Sequence, residues 1–253
     1  MSREPAGREF AGRESAGRGA EGPADIQDMR IVHSALRRDL ERTRIVLSDA
    51  ATTLTDRRRR AIGEHLLWLM HTLHRHHTGE DEHVWPEIRR REPSAGPLLD
   101  EMDTDHRRIA EPIREIEQVA ASLVAGTIGA SEVLACLARL EDAVLPHLAR
   151  EEREMMPVVA QVLSRSEWKK LGHRAFLKGK PLSDLALEGH WVIDHATPAD
   201  RQRMVTELPA LPRFILLHLL GGRYARRAKA LWDDTPAAAL PPLSAEAREG
   251  RRR

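Results

Sequence analysis

Four of the thirteen histidines in this 253-residue chain stand where they could do chemistry together: His33, His76, His106 and His147. Two of them have a carboxylate four residues later, His76 with Glu80 and His147 with Glu151. Residues four apart on a helix share a face, with Cβ atoms about 6 Å apart. An imidazole and a carboxylate so placed can reach one cation from a single helix. Imidazole and carboxylate donors without a thiolate suit iron, manganese or zinc. Six donors exceed the four of a structural zinc site. That number suits two ions, with Glu80 and Glu151 bridging them.

The elements that must position these residues can be read from apolar periodicity. A first helix is expected from Asp25, a good N-cap, with Met29, Val32, Leu36, Leu40, Val46 and Leu47 roughly on one face. A second begins near Asp56, carries Ile62, Leu66, Leu69 and Leu73, and must end by Pro93. A third follows Pro97 with Leu99, Met102, Ile109, Ile113, Ile116 and Leu123, ending at Gly126. The fourth opens near Ala130 or Ser131, carries Val133, Leu137, Leu140, Val144 and Leu148, and reaches about Leu163. Pro86, Pro112, Pro146 and Pro157 fall inside these patterns and predict kinks or a local break. Short connections between four amphipathic segments make an up-down-up-down four-helix bundle the expected fold, in an all-α chain.

At about 100° per residue, His76 and Glu80 lie about 60° and about 20° to one side of Leu73, while His147 and Glu151 lie about 80° and about 40° from Leu137. Both pairs flank their apolar stripe with the same offset. His106 falls near the centre of its stripe and His33 at the border of its own. Buried carboxylates need partners, and a metal ion would supply one. His77 and Asp81 form a rival pair, also four apart, and the wheel alone does not choose; the offset on the fourth helix favours His76 and Glu80. The neighbouring His65, His71, His74, His77 and His83 read as a solvated cluster or an outer shell. Glu80 and His83 match a ferritin-like Glu-x-x-His once, but the fourth helix has no counterpart.

Composition agrees with helices. Aromatics are 4% and charged residues 31%, which suits long solvated helix faces better than a sheet core. A net charge of +1 recruits neither nucleic acid nor a membrane surface; the arginine runs at 57–60 and 251–253 read as solvated. The single cysteine, Cys136, is compatible with a reducing cytosol, and the N-terminal stretch lacks the apolar core of a signal peptide, so a cytoplasmic protein is expected. Residues 1–24, with a charged Ala-Gly-Arg-Glu repeat, read as disordered, 25–164 as the bundle, 165–235 as a smaller helical extension and 236–253 as a loose tail. In the extension Thr197-Pro198 looks like a helix start, and Pro212 begins a segment containing Tyr224 and Trp232.

The residues around the four histidines resemble the hemerythrin-like (HHE cation-binding) domain. The stretches that carry the resemblance are IVHSALRRDL around His33, HHTGEDEHVWP from His76, DTDHRRI around His106 and LPHLAREEREMMP around His147. The order His, His-x-x-x-Glu, His, His-x-x-x-Glu matches the family over about residues 25–163. The resemblance implies a non-haem diiron centre, with His33, His76, His106 and His147 as terminal ligands, Glu80 and Glu151 as bridging carboxylates, and an oxo or hydroxo bridge. Oxygen-carrying members have paired histidines four apart on the third helix; here Met102 and Ala110 flank His106, one imidazole fewer. The extension, HATPADRQRMVTELP and GGRYARRAKALW, resembles one found on actinobacterial hemerythrin-like proteins and is expected to be a helical cap or a homodimer contact.

Three functions follow as expectations. The first is a non-haem diiron-binding module that binds or senses oxygen, nitric oxide or redox state. The second is a diiron enzyme that removes peroxide or nitric oxide, with Asp105 the unassigned carboxylate beside a ligand. The third is a regulatory or structural helical protein whose metal is incidental.

Overall fold

The computed structural model describes residues 21–206 and 210–245. Four helical rods carry the bundle. The first is α1 (Gln27–Ser48). The second is α2 (Asp56–Gly79), continued through a π-helical turn at Glu80–Val84 into α3 (Trp85–Arg91). The third is α4 (Gly96–Ala125). The fourth is α5 (Ala130–Arg150), continued through a second π-turn at Glu151–Met155 into α6 (Met156–Val162). α2 packs on α4, α4 on α5, and α5 on α1.

Local chemistry accounts for the ends. Asp25 Oδ1 accepts from the Gln27 amide at 3.3 Å, two residues before α1 begins. The Thr55 hydroxyl caps α2 by accepting from the Arg58 amide at 3.2 Å. α4 stops at Gly126, whose φ of 79° is the left-handed conformation that glycine adopts freely. Gly63 lets α2 approach α4 closely: a Cβ there would sit 2.7 Å from the Ala120 carbonyl oxygen.

Of the four prolines expected to kink or break the rods, two leave their helix continuous and two follow a local break from α-helical geometry. α4 runs unbroken through Pro112 and α5 through Pro146. Pro86 and Pro157 each follow a π-turn. The residue before each, Trp85 and Met156, donates its amide to a carbonyl five residues back, at Glu80 and Glu151. The widened turn accommodates the bulky ring and the missing N–H without ending the rod.

Apolar side chains form two layers along the bundle. Toward the α1–α2 connection lie Leu36, Leu40, Leu66, Leu69, Leu73, Ile109, Ile113, Leu140 and Val144. Toward the opposite end lie Met29, Val84, Trp85, Ile88, Leu99, Met102, Met155 and Val159. The histidines and glutamates singled out above fall between the layers in sequence: His76 and Glu80 between Leu73 and Val84, His106 between Met102 and Ile109, Glu151 between Leu148 and Met155.

The extension comprises α7 (Arg165–Gly172) with a π-turn at His173–Leu177, α8 (Leu182–Ile193), α9 (Pro198–Thr206), α10 (Ala210–Leu219) and α11 (Gly221–Trp232). Thr197 caps α9, its hydroxyl accepting from the Asp200 amide at 3.1 Å. The segment expected from Pro212 through Trp232 is two helices, divided at Leu220 before the Gly221–Gly222 pair, where glycine lowers helix propensity. No helix among the described residues is long and apolar enough to cross a membrane.

Both edges of the expected tails are built into the fold. Residues 1–20 and 246–253 lie outside the described residues. Ala24, however, donates to the Leu163 carbonyl at 2.9 Å, and Arg165 to Gly22 at 3.2 Å, so residues 22–24 pair with the chain leaving α6. Pro236–Ala239 form a 3-10 turn, with Ala237, Leu240 and Leu243 buried. The reason is a polar clamp on α1. Arg42, fully buried, donates to the carbonyls of Ala237 at 3.1 Å and Leu240 at 3.2 Å, and pairs with Asp194 at 2.7 Å. Arg38 reaches the Trp191 carbonyl at 2.9 Å. Asp39 lies at the centre, accepting from Arg38 Nε at 2.9 Å and from Trp191 Nε1 at 2.9 Å, with His65 Nε2 at 3.0 Å. His65, grouped above with the solvated histidines, is thus buried in the clamp. Burial alone would raise the Asp39 pKa, but Arg38, His65 and Arg42 hold it well below the usual carboxylate range. Removing one member leaves buried charge uncompensated. Asp39→Ala is expected to destabilise the chain by about 3–5 kcal/mol in denaturant unfolding; a change within 0.5 kcal/mol, the ordinary range for surface substitutions, would show that the clamp carries no such charge balance.

Candidate metal centre

The last turn of α2 presents His76 and His77, and the following π-turn opens with Glu80. The last turn of α5 presents His147, and its π-turn opens with Glu151. His33 comes from α1 and His106 from the middle of α4. All six residues proposed from the sequence meet between the apolar layers, joined by His77. They form two groups. His33, His76 and Glu151 bring their ligand atoms within 4.8 Å of one another, and so do His77, His106 and His147.

Glu80 spans the groups. Its Oε1 is 3.1 Å from His76 Nε2 and its Oε2 is 3.6 Å from His106 Nε2. Glu151 Oε2 is 3.4 Å from His33 Nε2 and 3.8 Å from His147 Nε2. His33 Nε2 and His76 Nε2 are 3.2 Å apart. His77 stacks on His106 with ring centroids 4.2 Å apart, and His147 stands edge-on to both.

Burial sets the electrostatics. Glu80 and Glu151 are both fully buried. Desolvation raises the Glu80 carboxyl to about 8. It raises Glu151 well above the usual carboxylate range, and the neighbouring Glu80 adds to the shift. Burial pulls His33 down to about 3 against the opposing pull of Glu152, and His147 down to about 4 against that of Asp105. It lowers His76, and it lowers His77 further still, helped there by His106 and His147. These four imidazoles are therefore held neutral, the form that ligates metal.

Hydrogen bonding tests whether a cation fits. Both oxygens of Glu80, both oxygens of Glu151 and the Nε2 atoms of His77, His106 and His147 are buried without a hydrogen-bond partner. Buried polar atoms are nearly always paired, and so many orphans converging on one place would be costly. Two divalent cations would satisfy them, and the donor set matches the iron, manganese or zinc chemistry expected above.

The outward ring nitrogens find carboxylates. His33 Nδ1 is 2.9 Å from Glu152 Oε1, which also pairs with Arg37 at 2.7 Å. His106 Nδ1 is 2.7 Å from Asp81 Oδ1. His147 Nδ1, by contrast, lies 3.8 Å from Asp105 and is buried without a hydrogen-bond partner, Asp105 being paired with Arg150. At His33 and His106 the carboxylate in this position fixes the tautomer and directs Nε2 inward. Asp81 thus serves His106, and the rival pairing of His77 with Asp81 is resolved in an unforeseen way: His77 and His76 both face the centre, one toward each group.

His77 is the residue the sequence reading missed, having placed it in the outer cluster. The signal was present, since it lies about 40° from Leu73 on the wheel. Treating His76 and His77 as alternatives hid it. His77 also restores the imidazole that the third helix lacks, because Met102 is buried among apolar side chains while His77 joins His106 and His147. His71 and His74 are exposed, as expected, and His83 belongs to neither group.

Comparison with known proteins agrees with this geometry. Residues 24–159 match the model of the hemerythrin HHE cation-binding domain, more than half of the chain and all of the bundle but the last three residues of α6. Neither the curated proteins nor the solved structures gave a match. The chain belongs to the hemerythrin HHE cation-binding domain family.

Proposed function

We propose that this chain holds two iron ions, one at each histidine group, and that it binds or senses oxygen, nitric oxide or redox state in the cytoplasm. The observation that carries this reading is Glu80, whose two unpartnered oxygens point one to each group. Iron would supply a one-electron redox change and an exchangeable coordination position. His77, His106 and His147 would hold one ion, His33 and His76 the other, with Glu80 and Glu151 shared. The groups are unequal, three imidazoles in one and two in the other, so the His33/His76 side would have the position for a small ligand. The remaining residues orient and enclose. Glu152 and Asp81 hold His33 and His106 in the ligating tautomer, and the apolar layers keep water from the carboxylates. The buried, unpaired Cys136 fits a reducing compartment.

Three outcomes are expected. Protein expressed with iron should contain two irons per chain, with visible absorption that changes on adding oxygen or nitric oxide and a melting temperature that falls on chelation. Iron-loaded protein whose spectrum ignores both gases would defeat the sensing role.

His77→Ala should lower the metal content to about one ion per chain, as a structural ligand deletion does, whereas His83→Ala should leave it at two. Equal metal content in the two variants, by elemental analysis, would remove His77 from the site.

Metal uptake should also release protons. In the metal-free chain Glu80, raised to about 8, keeps its proton at pH 7, and Glu151 is shifted the same way, while the lowered histidines are already neutral. On the order of one to two protons should therefore leave at pH 7. The release should shrink as pH rises above 8, where Glu80 is already ionised. Calorimetry in buffers of different ionisation enthalpy measures it, and uptake with no proton release at pH 7 would contradict the buried, protonated glutamates.

A further inference from the structure

His76 is the most solvent-exposed of the seven residues at the centre, at 11% of its side chain. Most of its surroundings belong to the centre itself. His33 meets it edge-on with centroids 5.3 Å apart, His77 lies 5.9 Å away, and Glu80 approaches its Nε2. The remaining face is covered by Phe176, whose ring stacks on the imidazole at 5.4 Å and 24°. Phe176 lies outside the matched domain, on the π-turn of the extension.

The cover is built rather than draped. A Cβ at position 79 would lie 2.8 Å from the Ala175 carbonyl oxygen and 2.9 Å from Phe176 Cε1. Helix propensity alone favours alanine over glycine in a helix, so Gly79 stands where the close approach of this turn requires it. The turn is anchored on both sides. Before it, Trp168 is buried with Val84, Trp85 and Met155, and its Nε1 donates to the Asp28 carboxylate at 3.0 Å. After it, Lys180 pairs with Glu188.

We propose that Phe176 is a specificity-determining residue of the centre: its ring closes the His33/His76 side and sets the size of molecule that reaches it. That this is the side with the exchangeable position rests on the functional reading above; the cover itself rests on the contacts of His76. A diatomic needs only a small displacement of one ring, while a bulkier molecule needs the anchored turn to open, and local opening of packed segments is rare.

Diethyl pyrocarbonate, a bulky histidine reagent, tests the cover on the metal-free full-length chain, with sites resolved by mass spectrometry. In the unaltered protein His76 should react about tenfold or more slowly than the exposed His71 and His74 on the same helix. Phe176→Ala should bring His76 close to their rate. Phe176→Leu, which keeps an apolar cover, should stay near the unaltered rate and guards against a folding defect. Gly79→Ala, which pushes the turn off, should accelerate His76 with Phe176 intact. Equal rates at His76 and His74 in the unaltered chain would overturn the proposal. So would an unchanged His76 rate in Phe176→Ala, or an acceleration shared equally by His106 in the other group. In iron-loaded protein, Phe176→Ala should speed iron removal by bathophenanthroline disulfonate about tenfold. A chain that takes up no iron would sink the metal reading, while the histidine rates still decide the cover.

Discussion

Two carboxyl groups buried between apolar layers are the constraint from which the rest of this structure follows. Glu80 and Glu151 have no exposure, and apart from each other's carboxyl no group hydrogen-bonds to any of their four oxygens. An isolated buried carboxylate is strongly disfavoured, so such a group either keeps its proton or meets a cation. The raised pKa values describe the first option. The neutral imidazoles aimed at the same oxygens prepare the second. The polar clamp on α1 shows the contrast within one molecule. Asp39 is as buried as the glutamates, yet the Arg38 and Arg42 guanidiniums supply its counter-charges, His65 lies within hydrogen-bonding distance, and its pKa falls. Where the protein supplies its own cations the carboxylate is satisfied; at the centre it leaves that role to a ligand.

The two halves of the centre are made by one local device used twice. In each, His-x-x-x-Glu ends an α-helix, a π-turn begins at the glutamate, and a proline follows six residues after it. The π-turn lets neighbouring residues serve different purposes. Glu80 faces both groups while Asp81 reaches across to His106 on α4. Glu151 faces inward while Glu152 reaches His33 on α1. Each of these two glutamates is thus followed by the carboxylate that orients a histidine of another helix. Proline, which would disrupt a regular helix here, is compatible with the widened turn that functional sites often use.

The extension is attached to the bundle at two places of different character. At one, buried arginines on α1 bind the carbonyls of Trp191, Ala237 and Leu240, so the last described residues belong to the folded unit. At the other, the π-turn at His173–Leu177 lies on Gly79 and His76. α1 carries both His33 and the arginine clamp, which couples the placement of a ligand to the docking of the extension. The family match ends before either contact begins, so this chain's centre has surroundings that the domain alone does not provide.

Periodicity and spacing determined a good deal. Apolar residues at helical intervals, with Asp56, Gly126 and the Thr197-Pro198 pair marking ends, place the rods close to where they lie, because caps and amphipathic stripes are properties of a few consecutive residues. The same local arithmetic brought His33, His76, Glu80, His106, His147 and Glu151 to inward faces. Tertiary structure decided what depends on partners from elsewhere in the chain. A helical wheel assumes a uniform 100° step, so it could not show that π-turns would follow Glu80 and Glu151, or that adjacent His76 and His77 would serve different groups. Nor could it assign Asp81 and Glu152, whose roles exist only across helices. His65 looked solvated because its partner Asp39 is on another helix, and Arg38 and Arg42 carry no local signal of their role because the carbonyls they bind come about 150 to 200 residues later. Side-chain direction is written locally in a helix; what a buried polar group pairs with is written only when distant segments meet.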